Sequence, residues 1–141
     1  MINLENLNLI KNTILKYHSA ELMVVTKNRS IEDISELIKL NFSLFGENKV
    51  QEAKNKFDKI DRSKIKLHLI GPLQSNKTKD ALKIFDTIQS IDRPKIIQEI
   101  FKYKDEKVLT KDFYIQVNIG KEEQKSGVLP EDLYDLYNLA R

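Results

Sequence analysis

The chain contains no cysteine, and that one absence excludes disulfides, thiolate nucleophiles and cysteine-ligated metals together. A reducing compartment is compatible with it. Histidine is almost as scarce: His18 and His68 stand far apart, with no carboxylate or second histidine at metal-ligand spacing, so no metal site is expected. Long apolar runs are missing as well. No stretch approaches the ~18 apolar residues of a membrane span, and the opening MINLENLNLIKNTI has neither a basic n-region nor a long apolar h-region. A soluble, cytoplasmic protein is the expectation. Nor does one sign of charge dominate: 24 lysines and arginines against 21 aspartates and glutamates leave a net +3 over 141 residues, a weak argument for a nucleic-acid partner. The densest basic stretch, Lys54, Lys56, Lys59, Lys64 and Lys66, is interleaved with Asp58 and Asp61 and has no aromatic platform. It reads as a solvated helix face.

What is present is enough for a real core. Hydrophobic residues make up 40% of a length that suits about one domain. Short apolar runs alternate with segments of helical periodicity, the signature of repeated βα units. An opening helix is expected over about 4–18, with Leu4, Leu7, Ile10, Ile14 and Tyr17 on one stripe. The first strand, Leu22 to Thr26, reads as buried on both faces, and Ser30 then caps a helix whose inner side carries Ile34, Leu37 and Ile38. A very short strand at Leu44-Phe45 leads into a helix ending near Ile60. The third strand is Leu67 to Ile70, with a helix from about Ser75 or Asn76. Thr87 to Ser90 is the weakest strand, followed by a helix over Asp92 to Tyr103. The fifth is Phe113 to Asn118, and Pro130 opens a last helix. Successive strand ends near Lys27, Gly46, Gly71, Ser90 and Asn118 have the spacing of a (β/α)8 barrel, which needs eight such units. Five are present, so the expected fold is α/β, a partial (β/α)8 barrel in one truncated domain over 1–141. The edges of strands one and five would invite pairing with another chain.

Lys27 is the residue that stands out, because it closes the apolar run Leu22-Met23-Val24-Val25-Thr26. Two readings are open on position alone. One is a strand-end lysine that keeps its ammonium in water; the other is an amine offered at the mouth of a parallel sheet, where α/β proteins bind ligands. The loops after the other strands supply Glu47-Asn48, Gln74-Ser75-Asn76-Lys77, Ser90, Asn118 and Lys125-Ser126-Gly127 on what should be the same face. Taken singly, Asn48 and Asn76 suit helix caps and Gly127 a positive-φ loop position. Asn118 is harder to dismiss, since asparagine is a poor strand former directly after Tyr114-Ile115-Gln116-Val117.

Four segments, LMVVTKNRSIEDI, FGENKVQEAKNKF, LHLIGPLQSNKTK and IQVNIGKEEQKSGV, occur in this order. Together they resemble the pyridoxal phosphate homeostasis protein family of the YggS/PROSC type, related to the amino-terminal barrel of alanine racemases. The resemblance covers nearly the whole chain. It implies that Lys27 holds pyridoxal 5′-phosphate as a Schiff base, with Asn48, Asn76, Asn118, Lys125, Ser126 and Gly127 lining the cofactor pocket. Lys125 would be the nearby cation that, with burial, keeps the Lys27 amine neutral. Arg29 stands where the first motif often has a second lysine, Pro72 where a polar residue is usual and Leu67 where an aromatic is common. The family's glycine- and serine-rich phosphate cradle lies in a carboxyl-terminal part that these 141 residues do not include. Each charge-assisted hydrogen bond lost there costs about 1.5–3 kcal/mol, so retention should fall sharply.

The function implied is that of a cofactor-binding protein of vitamin B6 homeostasis, with no turnover of its own, that buffers pyridoxal phosphate and delivers it to apo forms of dependent enzymes. Neither nucleic acid nor membrane is an expected partner. The rival from another class is a fold-related amino-acid racemase, which would need a second base from a further domain. A third alternative is a degenerate or split fragment that works only with a complementary chain or a second copy.

Overall fold

The computed structural model describes residues 3–141, and its elements follow from local sequence cues. Helix α1 (Leu4–Ile14) begins where the Asn3 side chain accepts from the Asn6 amide. Strand β1 (Val24–Val25) is followed by α2 (Ile31–Lys39), whose start carries a full capping box between Ser30 and Asp33. Next come β2 (Leu44–Glu47), α3 (Val50–Phe57), β3 (Lys66–Leu69) and α4 (Thr78–Ile84). Then β4 (Thr87–Ile91) leads to α5 (Pro94–Phe101), with proline at the helix start, and β5 (Asp112–Ile115) to α6 (Leu133–Ala140).

The five strands form one parallel sheet in sequential order, β1-β2-β3-β4-β5. Parallel neighbours joined each time by a helix are the repeating unit of a (β/α)8 barrel, so the expected α/β architecture is the one observed. β1 and β5 are the edges of the described sheet.

Register sorts the side chains onto two faces. Phe45 of β2 pairs in register with Leu67 of β3, and Glu47 with Leu69, while the Phe45 ring lies 6.1 Å from that of Phe57 on α3. These residues, with Ile88, face the helices, and the core forms there with Ile34, Leu73, Leu82, Phe85 and Ile96, all fully or almost fully buried. The alternate positions, Val25, Gly46 and His68, lie on the opposite, inner face.

Several expectations are corrected. The opening helix ends at Ile14, four residues early: Thr13 turns its hydroxyl back to the Leu9 carbonyl, and the chain continues in turns closed by Tyr17 and Ala20. The first strand is buried on one face only, since Val25 keeps 46% of its surface exposed on the inner side. The third helix after a strand starts at Thr78, behind a 3-10 turn over Ser75–Lys77, and the next at Pro94 rather than Asp92. The fifth strand stops at Ile115 because the chain then pairs with its own returning segment: Asn118 N–H donates to the Val128 carbonyl and Val128 N–H to that of Gln116, both at 2.8 Å. Pro130 opens a 3-10 turn, and α6 proper begins at Leu133. Among the described residues, no helix is long and apolar enough to cross a membrane.

Candidate functional site

The carboxyl ends of the strands carry the polar residues singled out above, and the structure spreads them over a turn and two depressions. Lys27 is exposed at the crest of a turn closed by a 3.0 Å bond from Arg29 N–H to the Thr26 carbonyl. Thr26, just before it, is turned toward the helices by its bond to Glu47, and Lys27 follows two residues after the end of β1. Among the described residues, none forms an ion pair or hydrogen bond with its ammonium. Asn28, next along, has a φ of 58°, a left-handed conformation that asparagine tolerates better than most residues.

Asn48 is half-buried and lines a depression of about 370 Å³ with Lys49, Gln74 and Lys77. Its backbone is seated directly against Gly71. A methyl group at Gly71 would come within 2.3 Å of the Asn48 carbonyl oxygen, so only glycine lets the loops after β2 and β3 approach this closely. Asn76 is exposed within the 3-10 turn and lines neither depression.

The second depression, about 350 Å³, brings Asn118, Lys125 and Ser126 together with Ile70, Pro72 and Gln116. Here the polar groups are largely engaged within their own loop. The Asn118 amide donates to the Glu122 carbonyl at 2.9 Å, and its oxygen accepts from the Glu122 N–H at 3.3 Å. Lys125, expected as the cation near Lys27, ion-pairs with Glu122 at 2.8 Å. The Ser126 carbonyl accepts from the Gln116 amide at 3.0 Å. Gly127 has a φ of 127°, and its α-carbon lies so close to the Asn118 backbone that a methyl there would be 2.6 Å from Asn118 N.

Sequence reasoning missed a buried charge cluster beneath Lys27. Lys56, expected on a solvated face, is only 7% exposed, and its ammonium lies 2.6 Å from Glu47 Oε1 and 2.8 Å from Glu52 Oε1. Its third partner is the Thr26 carbonyl at 2.8 Å. The reason is helical spacing: Lys56 falls three residues after buried Ala53 and beside buried Phe57, on the side of α3 that meets β2. The i,i+4 pair Glu52 and Lys56, with Glu47 just ahead of the helix, was the available signal.

On the inner face, the Gln89 amide lies 2.9 Å from His68 Nδ1, which in the neutral ring leaves the proton on Nε2. Burial is the main cause holding the His68 pKa below its usual 6.5; Lys66 adds to the effect, while Asp86, Asp112 and Glu21 oppose it. The unfolded chain therefore takes up a proton that the folded chain resists, and stability falls as pH drops below about 6.5. We expect the thermal midpoint to fall between about pH 7 and pH 5. His68→Gln, which keeps an acceptor for Gln89, should flatten that slope, and an unaltered slope in a melting series would remove His68 as its source.

An exposed lysine, neutral carboxamides and further lysine side chains stand at the mouth of a sequential parallel sheet of the (β/α)8-barrel type, a polar rim suited to a small anionic compound. No family model matches it. The chain is 38% identical over 120 residues to the pyridoxal phosphate homeostasis protein of Pasteurella multocida, covering 84% of this chain and 52% of that one. It is 36% identical over 141 residues to its counterpart in Haemophilus influenzae, covering 93% and 60%. In structure it resembles PipY of Synechococcus elongatus, solved without and with PLP, with TM-scores of 0.82 and 0.80 and identities of 30% and 31%. Each superposition covers 96% of this chain and 64% or 62% of PipY. The chain is therefore similar in sequence to pyridoxal phosphate homeostasis proteins and spans 52% to 60% of the length of these two curated relatives.

Proposed function

We propose that this chain, acting as one domain, holds pyridoxal 5′-phosphate through the Lys27 amine, without turnover, and passes it to apo forms of dependent enzymes in the cytoplasm. The observation that carries the reading is Lys27 itself: exposed, without a partner among the described residues, and set in the turn just after β1 in a chain related to a protein solved with PLP. The donor set fits such a compound. A primary amine suits an aldehyde, Asn48 and Gln74 offer neutral hydrogen bonds, and Lys49 and Lys77 give the neighbouring depression the positive charge that a phosphate requires.

When bound, the cofactor would supply an electrophilic aldehyde and a phosphate anchor. The chain's residues do the rest. An amine attacks an aldehyde in its neutral form, and Lys27 is exposed in the turn after β1. Gly71 keeps the loops after β2 and β3 close enough to form one rim. Asn118 and Gly127 hold the loop that carries Lys125 and Ser126 on the far side of Pro72. The test is capture of pyridoxal phosphate by the purified chain, reduction with borohydride and peptide mapping. A stable adduct concentrated at Lys27 is expected; adducts scattered evenly over surface lysines would sink the assignment.

A second reading, self-association, is favoured by the apolar surface at β5. There Phe113 and Tyr114 are 43% and 57% exposed and line a groove of about 520 Å³ with Ile97, Phe101 and Tyr137. Light scattering during size exclusion should then give a mass that rises with loading concentration. A constant monomer mass would rule it out.

A further inference from the structure

The peptides on either side of Lys27 are tied down by three charged side chains that lie behind the rim, on the helix-facing side of the sheet. Thr26 is fully buried; its hydroxyl donates to Glu47 Oε1 at 2.7 Å and its carbonyl accepts from Lys56 Nζ at 2.8 Å. The Asn28 N–H donates to Glu52 Oε1 at 2.6 Å. Lys56 joins the two carboxylates: its ammonium hydrogen-bonds Glu52 and the Thr26 carbonyl and ion-pairs with Glu47. We propose that Glu47, Lys56 and Glu52 form a positioning clamp that fixes the direction of the Lys27 amine by holding residues 26 and 28 while leaving the amine free. The proposal rests on the reading of Lys27 as the attachment point.

A cluster serving only to hold α3 against β2 would need the Glu47–Lys56 pair alone. Three further bonds go instead to the two residues that bracket Lys27: two at Thr26 and one at the Asn28 N–H. Asn28 is the informative one, because its left-handed backbone is held by a carboxylate from another element, 24 residues away in sequence. A sparsely populated conformation persists where its surroundings over-determine it, and such places cluster at ligand sites. The hydrogen bond from Lys56 is the main cause keeping the Glu52 carboxyl below its usual range, opposed by burial and aided by the Asn28 N–H, so the acceptor stays ionised at neutral pH. With both flanking peptides fixed, only the Lys27 side-chain torsions are left to search for the aldehyde. That is the entropic saving expected of a preorganised nucleophile.

Glu52 offers the clean test, because it is half-buried and its removal leaves the Glu47–Lys56 pair intact. In the wild-type chain the Asn28 amide should exchange slowly in hydrogen-exchange NMR. In Glu52→Ala it should exchange about tenfold faster or more, with pyridoxal phosphate capture at Lys27 slowed by a similar factor. Glu52→Gln, which restores an acceptor without its charge, should recover most of both effects, which a generally loosened fold would not do. Equal Asn28 exchange in wild type and Glu52→Ala would overturn the clamp, as would faster exchange with an unchanged capture rate. If the wild-type chain captures no cofactor at Lys27, the functional reading fails by itself, and the Asn28 exchange comparison still decides whether the clamp exists.

Discussion

Replacing Lys56 with methionine should lower the unfolding free energy by about 3–5 kcal/mol, the range for removing one partner of a buried ion pair. The substitution keeps an unbranched stem of similar length, so lost packing is a minor part of the effect. What changes is Glu47. Its carboxylate is fully buried, and without Lys56 it retains only the Thr26 hydroxyl on Oε1, while Oε2 has no partner among the described residues. An uncompensated buried carboxylate must take up a proton or drag in water, and either costs folding energy. The Thr26 carbonyl loses a donor in the same step but keeps the Arg29 N–H. Urea denaturation measures the loss. The double variant Glu47→Met, Lys56→Met removes both charges and should recover most of it, because apolar replacement of a whole buried pair is often neutral or stabilising. A single-variant loss below about 1 kcal/mol would mean that the pair is solvated well enough to behave like a surface bridge.

The same cluster shows where the sequence was legible and where it was not. Strands β1 and β3 were readable from their apolar residues. Leu67 and Leu69 alternate with His68, and the structure keeps that alternation across β3. The start of α2 was readable because Ser30 and Asp33 form a local motif whose partners are three residues apart. Lys56 was not, because its partners come from the turn after β1, from β2 and from its own helix, and lysine among other charges reads as solvent-facing unless the tertiary partner is known. The length of α1 misled for the opposite reason. Its apolar stripe continues through Tyr17, but Leu4 and Ile10 stay about half exposed, so periodicity had little packing behind it. At the rim, strand-end position marked Lys27, Asn48 and Asn118 alike. Their differing environments follow from loop closure, such as the bond between Asn118 and Val128, which no local pattern encodes.

Lys27→Ala should abolish covalent capture of pyridoxal phosphate at the end of β1 while leaving stability within about 0.5 kcal/mol of wild type, since an exposed side chain without partners contributes little to folding. That separation between binding and stability is what distinguishes Lys27 from Lys56, whose loss should do the reverse first. Lys27→Arg sharpens the comparison. It keeps the positive charge and similar length, but a guanidinium does not give up its proton near neutral pH and so offers no nucleophile. If Lys27 acted only by attracting the phosphate, the arginine variant would retain the ligand through gel filtration nearly as well as wild type. Covalent attachment predicts that arginine fails as completely as alanine. Nearby side chains are poorly placed to rescue it: Arg29 two residues on has no usable amine, and the Lys56 ammonium is already bonded to Glu52 and the Thr26 carbonyl and ion-paired with Glu47. Full capture by either variant, located by peptide mapping after reduction, would move the attachment to another lysine, with Lys49 and Lys77 in the depression beside Asn48 as the first to inspect.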